Sequence, residues 1–360
     1  MVLPQSMTAY DVVRPLLFSL PAETAHNFGK SALGLLQSTS VSRRAVRRLY
    51  RVSDPRLTVE RFGVEFPSPV GVAAGFDKNG EVTHGLADLG FGFTEAGTVT
   101  PAPQDGNPRP RLFRLPEDGG MVNRLAFNSQ GAERVRDRFA ARGLPDVPVG
   151  VNIGSMNDSD AATAIEDYRT VFRTLYPYPD YFVVNVSCPN TPDEYDEQSP
   201  EHLRRVFGTL TEENDEDKPL LVKVGPDSTR AGLEELVDIV HEFDVDGVVA
   251  TNTTTDHDGL TSHNRVEWGG VSGRPLRDAA TRTVRTLAEL TDLPIVGVGG
   301  VDSAETAYEK IRAGASLVQL YTGFVYGGPS TAKRINTGLC DLLEADGFDS
   351  VEAAVGVDVE

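Results

Sequence analysis

Residues 180–188, Asp180-Tyr181-Phe182-Val183-Val184-Asn185-Val186-Ser187-Cys188, decide the fold. The apolar run 181–184 suits a strand buried on both faces. The carboxamide, hydroxyl and thiol at its end are poor core material and good pocket material. Seven further segments have the same form: residues 68–75, 93–100, 147–154, 219–225, 247–253, 294–300 and 317–323. Helix-like stretches at 80–89, 158–176, 200–213, 229–242, 276–291 and 303–313 separate most of them. Strands alternating with helices in this way predict an α/β fold, a (β/α)8 TIM barrel.

Polar groups gather where six of these strands end: Lys78, Thr98, Asn152, Asn185 with Cys188, Lys223, and Asn252 with Thr253. Barrel active sites sit at that rim, so the placement points to a site. Cys188 reads as a catalytic base, because a free thiol ionises near pH ~8.5, far below a serine hydroxyl. Glycines close the last two strands, in Val296-Gly297-Val298-Gly299-Gly300 and Tyr321-Thr322-Gly323. Exposed backbone amides at those two loops are the usual phosphate cradle of such a barrel. Three excursions break the rhythm: 101–131 reads as a lid or side wall, and 189–200 and 254–273 as loops over the mouth. Residues 57–66 read as a short hairpin.

The chain of 360 residues is 39% hydrophobic, enough for a full core, and carries a net charge of −19. Residues 1–51 hold seven basic groups against Asp11 and Glu23, which is +5 and leaves −24 on the remainder. An acidic body argues against a nucleic-acid partner. Lysine is scarce while Asp, Glu and Arg are plentiful, a bias compatible with a salt-rich cytoplasm. No long apolar run suggests a transmembrane helix, and no signal peptide is expected. Cys188 and Cys340 are too few for a disulfide framework. The six histidines are scattered without ligand spacing, so no metal is expected. Residues 8–20 and 22–37 read as amphipathic helices with the basic segment Arg43–Arg51 behind them, suited to an anionic membrane surface. Three parts are expected: a helical extension at 1–51, a barrel at 52–343 and an acidic tail at 344–360.

Several runs together carry a resemblance: residues 73–80 (AAGFDKNG), 97–101 (GTVTP), 108–114 (PRPRLFR), Asn123-Arg124, 185–190 (NVSCPN), 250–254 (ATNTT), 270–276 (GVSGRPL) and the two glycine loops. Over about residues 8–340, in order and at natural spacing, the chain resembles dihydroorotate dehydrogenase. The helical extension and Asn123-Arg124 in the excursion make it similar to the membrane-associated, quinone-using class 2. The resemblance implies FMN across the barrel mouth, with its phosphate on Gly273, Gly300, Tyr321 and Thr322. The ring would be contacted by Ala74, Gly75, Thr98, Asn152 and Lys223, with Thr251, Lys78 and Asn185 in the same shell. Lys78 would meet the substrate carboxylate, and Asn123, Asn185, Asn190, Asn252 and Thr253 the amide edges of a dihydropyrimidine, since carboxamides donate and accept. The lid Asn123-Arg124-Leu125-Ala126-Phe127 would close on that substrate. Cys188 would remove the C5 proton while hydride leaves C6.

Two positions depart from the class 2 pattern: Cys188 stands where that class usually has Ser, and Ala126 where Gly is common. The expected activity is oxidation of (S)-dihydroorotate to orotate in pyrimidine synthesis, with a membrane quinone as acceptor, at the cytoplasmic side of the membrane. The same half-reaction with fumarate or NAD as acceptor, or a non-redox phosphate-binding barrel, remain the alternatives.

Overall fold

The computed structural model describes residues 9–187 and 197–359. Eight parallel strands close into a barrel: β1 (Val70–Asp77), β2 (Phe93–Val99), β3 (Val149–Ile153), β4 (Tyr181–Asn185), β5 (Leu220–Val224), β6 (Gly247–Ala250), β7 (Ile295–Val298) and β8 (Ala315–Leu320). Each pairs with its sequence neighbours, and β8 closes on β1 through Val318 opposite Val70. The (β/α)8 architecture expected above is therefore present. Every residue of β2, β3, β4 and β5 is buried. That is why these strands read as continuous apolar runs rather than alternating ones.

Three helices precede the barrel: α1 (Ala9–Ser19), α2 (Ala22–Leu36) and α3 (Ser40–Tyr50). Around the barrel follow α4 (Thr83–Asp88), α5 (Ala132–Arg142), α6 (Ala161–Leu175), α7 (Pro200–Glu212), α8 (Arg230–Glu242), α9 (Arg277–Leu290) and α10 (Ala304–Arg312). The chain closes with α11 (Thr322–Gly327), α12 (Thr331–Asp346) and α13 (Val351–Ala354). Side-chain caps set several starts: Asp160 accepts from the amides of Ala162 and Thr163, Thr229 from Gly232, and Ser303 makes a capping box with Thr306.

The basic segment behind α2 is itself helical, and three of its five arginines turn inward. Arg43 and Arg47 grip the buried carboxylate of Asp88 at 2.8 and 2.7 Å, and Arg47 and Arg51 share Asp146. Arg44 and Arg48 face outward. Val351 and Ala354 of α13 are fully buried on the barrel, and Arg312 pairs with Asp346 and Asp358 beside them.

The excursion after β2 forms a side sheet. Strands Leu112–Leu115 and Gly120–Asn123 make a hairpin, and Gly270–Gly273 adds a third antiparallel strand. The turn of that hairpin is latched to the 254–269 loop, where Asp118 accepts from the Thr261 amide and hydroxyl and the Ser262 amide. Strands 59–61 and 64–66 pair as a small hairpin below the barrel, turning through Phe62 and Gly63 at φ 57° and 70°.

Candidate active site

The strands deliver their polar ends to one cavity at the C-terminal rim, with an empty volume of about 980 Å³. It lies within the size range of small-molecule and cofactor sites. Ala74, Gly75, Lys78, Thr98, Asn123, Asn185, Lys223, Thr251, Asn252 and Thr253 line it. Leu125, Ala126 and Phe127 of the excursion do so as well. Gly273, Gly300, Tyr321 and Thr322 complete the wall. Because β7 and β8 stand opposite β3 and β4 in the barrel order, the glycine turns face the amide and lysine groups across the mouth.

Two expected residues take other positions. Asn152 is 0% exposed and lies beneath the lining, where its carboxamide supports Thr98 and Asn185. Arg124 turns away from the cavity: its guanidinium carbon sits 4.1 Å from the Trp268 ring centroid and its Nε donates to the Trp268 carbonyl. Stacking between two aromatic faces, Phe113 being the other at 5.0 Å, outcompetes pointing a cation at the ligand space. Cys188 and Asn190 lie outside the described residues.

The polar side is a closed hydrogen-bond network. Thr98 Oγ1 donates to Asn152 Oδ1 at 2.6 Å, and Asn185 Nδ2 donates to Thr98 Oγ1 at 3.0 Å. Asn252 Nδ2 reaches the Ser187 carbonyl at 2.9 Å, and Ser187 Oγ donates to the Lys223 carbonyl at 2.8 Å. Ser187 is thereby committed to structure. On the other side the loops after β7 and β8 meet so closely that a β-carbon on Gly323 would lie 2.1 Å from the Val301 carbonyl. Gly273 and Gly300 adopt φ of 86° and 73°, conformations that favour glycine. Gln319, Ser272, Leu112 and Met121 also line the cavity. They escaped the sequence reading: Gln319 because it is one polar residue inside an apolar run, the others because their strands belong to the side sheet or its neighbour.

A second cavity, of about 1170 Å³ and almost wholly apolar, lies between α1, α2 and the barrel. Leu17, Phe18, Ala25, Phe28, Ala32 and Leu36 form its helical wall. Leu112, Met121 and Tyr321 belong to both cavities. Besides tyrosines, its lining includes one guanidinium and one imidazole. Arg114 donates to the carbonyls of Leu17 and Leu20 and lies 4.6 Å from the Phe18 centroid. His26 bonds to the Phe76 backbone, and burial, then Lys30 and Lys78, hold its imidazole down at about 4. His26 had no distinguishing signal in the sequence beyond lying on an amphipathic helix.

Fold and cavities define a (β/α)8 barrel with a cavity at its C-terminal rim and an adjoining apolar cavity walled by its own N-terminal helices. A family model described as "Dihydroorotate dehydrogenase" matches residues 56–343, and the chain belongs to that family. It is 51% identical to "Dihydroorotate dehydrogenase (quinone)" of Halobacterium salinarum over 351 residues, 97% of this chain and 100% of that one. It is 52% identical to the protein of that name from Natronomonas pharaonis over 98% of this chain and 100% of that one. The same-named protein of Mycobacterium tuberculosis is 44% identical over 96% and 98% of the two chains. Among solved structures, DHODH from Eimeria tenella in complex with ferulenol superposes with a TM-score of 0.79 at 35% identity, covering 89% of this chain and 96% of that one.

Proposed function

We propose that the protein oxidises (S)-dihydroorotate to orotate at the rim cavity and passes the two electrons to a quinone held in the apolar cavity. Family membership and the quinone named for its relatives support the reading. One observation carries it: a cavity with a row of amides, hydroxyls and two lysines on one side and an almost wholly apolar cavity stand back to back, and Tyr321, Leu112 and Met121 belong to both. A hydrophilic reductant and a lipid-soluble oxidant would occupy separate cavities with these side chains between them.

FMN fits the rim cavity on two counts. The paired glycine turns offer backbone amides to a phosphate, and across the mouth a network of amides, a hydroxyl and Lys223 suits the polar edge of a flavin. When bound, FMN supplies the acceptor for the hydride leaving C6 of the substrate. The chain's own residues do the rest. Lys78 offers an ammonium to the substrate carboxylate. Asn123, Asn185, Asn190, Asn252 and Thr253 match the alternating N–H and C=O groups of the dihydropyrimidine, and Leu125 to Phe127 roof it against water. Cys188 takes the C5 proton at Sγ as thiolate and releases it to solvent.

The exposure of apolar side chains supports a membrane-facing surface on the N-terminal helices. Among the described residues, nine of the eleven large exposed hydrophobics lie on α1 to α3 or their joints, Leu16 and Leu35 at 70% and 74% among them. Arg44 and Arg48 add outward charge nearby. No described helix is long and apolar enough to cross a membrane. An interfacial helix layer above the apolar cavity would admit quinone from the bilayer.

The deciding experiment is stopped-flow: anaerobic bleaching of the flavin by dihydroorotate, then reoxidation by a ubiquinone or menaquinone analogue, fumarate or NAD. Quinone should be fastest. Fumarate or NAD outrunning it would refute the acceptor assignment, and a protein that takes up no FMN would refute the redox reading. Cys188→Ala should bind orotate yet abolish bleaching.

A further inference from the structure

Beneath the polar side of the cavity lies a carboxylate that this function leaves without a role. Glu95 is on β2, three residues before Thr98, and is 1% exposed in the barrel interior. Asn152 Nδ2 donates to its Oε1 at 2.9 Å and Gln319 Nε2 to its Oε2 at 2.6 Å. Burying a carboxylate this deeply is costly unless its position does something no apolar residue could do.

What it does can be read from the direction of the hydrogen bonds above it. Asn152, having turned its amide nitrogen to Glu95, has only Oδ1 to show upward, and that oxygen accepts from Thr98 Oγ1 at 2.6 Å and Asn185 Nδ2 at 3.2 Å. Asn185, its nitrogen thus committed, shows Oδ1 to the Ser187 amide and to Asn252 Nδ2, each at 3.4 Å. From Asn185 and Thr98 through Asn152 every side-chain donor points down toward Glu95, and Asn252 Nδ2, whose nearer partner is the Ser187 carbonyl, joins them from above. A carboxylate accepts only, so it is the one group at the foot of the chain that cannot tolerate the opposite direction. Were Asn152 turned over, its nitrogen would confront Asn185 Nδ2, and Asn185 turned in response would confront the Ser187 amide and Asn252 Nδ2. The conflict would run to the cavity wall.

We propose that Glu95 is a positioning residue: it fixes the orientation of the Asn152 carboxamide and, through it, which hydrogen-bonding atoms Thr98 and Asn185 present to the ligands above. Glu95 and Asn152 themselves do not line the cavity, whereas Thr98 and Asn185 do. The role rests on reading the cavity as the FMN and dihydroorotate site. Charge-assisted bonds are about twice as strong as neutral ones, so the carboxylate holds a direction that a neutral amide would hold weakly.

The test is a pair of variants measured as purified holoprotein. Glu95→Gln brings a third amide nitrogen to a place that already holds two donors, so either Gln319 or Asn152 must turn over, and even where Gln319 turns the direction of Asn152 is held only by a neutral amide in place of the carboxylate. Orotate binding, titrated by the flavin absorbance shift, should weaken roughly tenfold, the scale of one charge-assisted bond. The value of kcat/KM for dihydroorotate should fall alongside, while FMN stoichiometry and Tm stay close to those of the unsubstituted protein. Glu95→Gln combined with Gln319→Glu returns a carboxylate to the foot of the network: Gln at 95 accepts from Asn152 and donates to Glu at 319. Orotate affinity should return to within roughly threefold, a small fraction of a charge-assisted bond. Unchanged orotate affinity in Glu95→Gln would overturn the proposal. So would a folded double variant that fails to recover, or the collapse of both variants, which would leave Glu95 a role in stability alone. Should only the single variant fail to fold, wild-type affinity in the double variant supports the proposal and weak affinity overturns it. Failure of the unsubstituted protein to bind FMN or orotate would strike the functional reading instead, and is seen before any substitution is made.

Discussion

The imidazole of His26 lies nearly parallel to the phenol of Tyr321, planes 10° apart and centroids 6.2 Å apart, so a titratable group of the apolar cavity stacks on the wall it shares with the rim site. Burial and the cations Lys30 and Lys78 press the imidazole down to about 4, against its usual 6.5. Between those values the unfolded chain binds a proton that the folded chain refuses. The stability His26 contributes is therefore complete above pH ~6.5 and drains away as pH falls toward ~4. Because the ring is half-buried, the change should be about 1–2 kcal/mol. Tm measured from pH 7 to pH 4 should fall less steeply in His26→Phe, and parallel curves would show that another group titrates.

Filling the apolar cavity should separate the two half-reactions. Ala25 on α2 lines that cavity and not the rim site. An indole in place of its methyl occupies space in a void of about 1170 Å³ without displacing packed atoms, so the fold should tolerate it. Ala25→Trp should slow quinone-dependent turnover at least tenfold, the scale of blocking a site worth more than ~1.4 kcal/mol. Bleaching by dihydroorotate should keep its rate. Equal loss in both steps would show that the cavity is not the acceptor site.

The lid carries backbone strain at two successive residues that are not glycine. Ala126 has φ 52° and Phe127 φ 47°, and Ala126 is buried. A non-glycine residue in this region costs about 1–2 kcal/mol. Ala126→Gly removes that cost but loosens the unfolded chain by about 0.4–1 kcal/mol and gives up a buried methyl. It should therefore leave stability within about 1 kcal/mol of the parent. Ala126→Val adds β-branching to the same φ and should destabilise by more than about 2 kcal/mol. Chemical denaturation of both variants checks the contrast.

These cases also show what the sequence could and could not disclose. The eight strands were legible because burial on both faces leaves an uninterrupted apolar signature. Helix α5 was not, since only Ala132, Val135 and Phe139 of its eleven residues face inward and the charged remainder hides the spacing. The arginines of α3 looked like a free cationic patch because nothing local announces Asp88 or Asp146, which lie far along the chain. Arg124 likewise shows its Trp268 partner only in three dimensions. Site residues at strand ends are visible as polar breaks in apolar runs. Glu95, Asn152 and Gln319 are joined only by barrel closure, which brings together side chains as much as 224 positions apart.

Lys310 offers a test of stability free of the active site. It is 0% exposed, and Nζ donates to Thr281 Oγ1 at 2.9 Å. Burial lowers its ammonium to about 8, with Arg277 adding to the effect and Glu309 and Asp278 opposing it. Between pH ~8 and ~10.5 the unfolded chain holds a proton that the folded chain has lost, so stability rises with pH across that window; below ~8 the penalty is present in full. A methionine of similar length keeps the packing and removes the charge, leaving the Thr281 hydroxyl without its donor at a cost of about 1 kcal/mol. Lys310→Met should therefore gain about 1–3 kcal/mol at pH 7 and lose the rise in stability between pH 8 and 10.5. Urea denaturation at pH 7 and pH 10 reads both effects. A variant weaker than its parent at pH 7 would mean that the bond to Thr281 outweighs the buried charge.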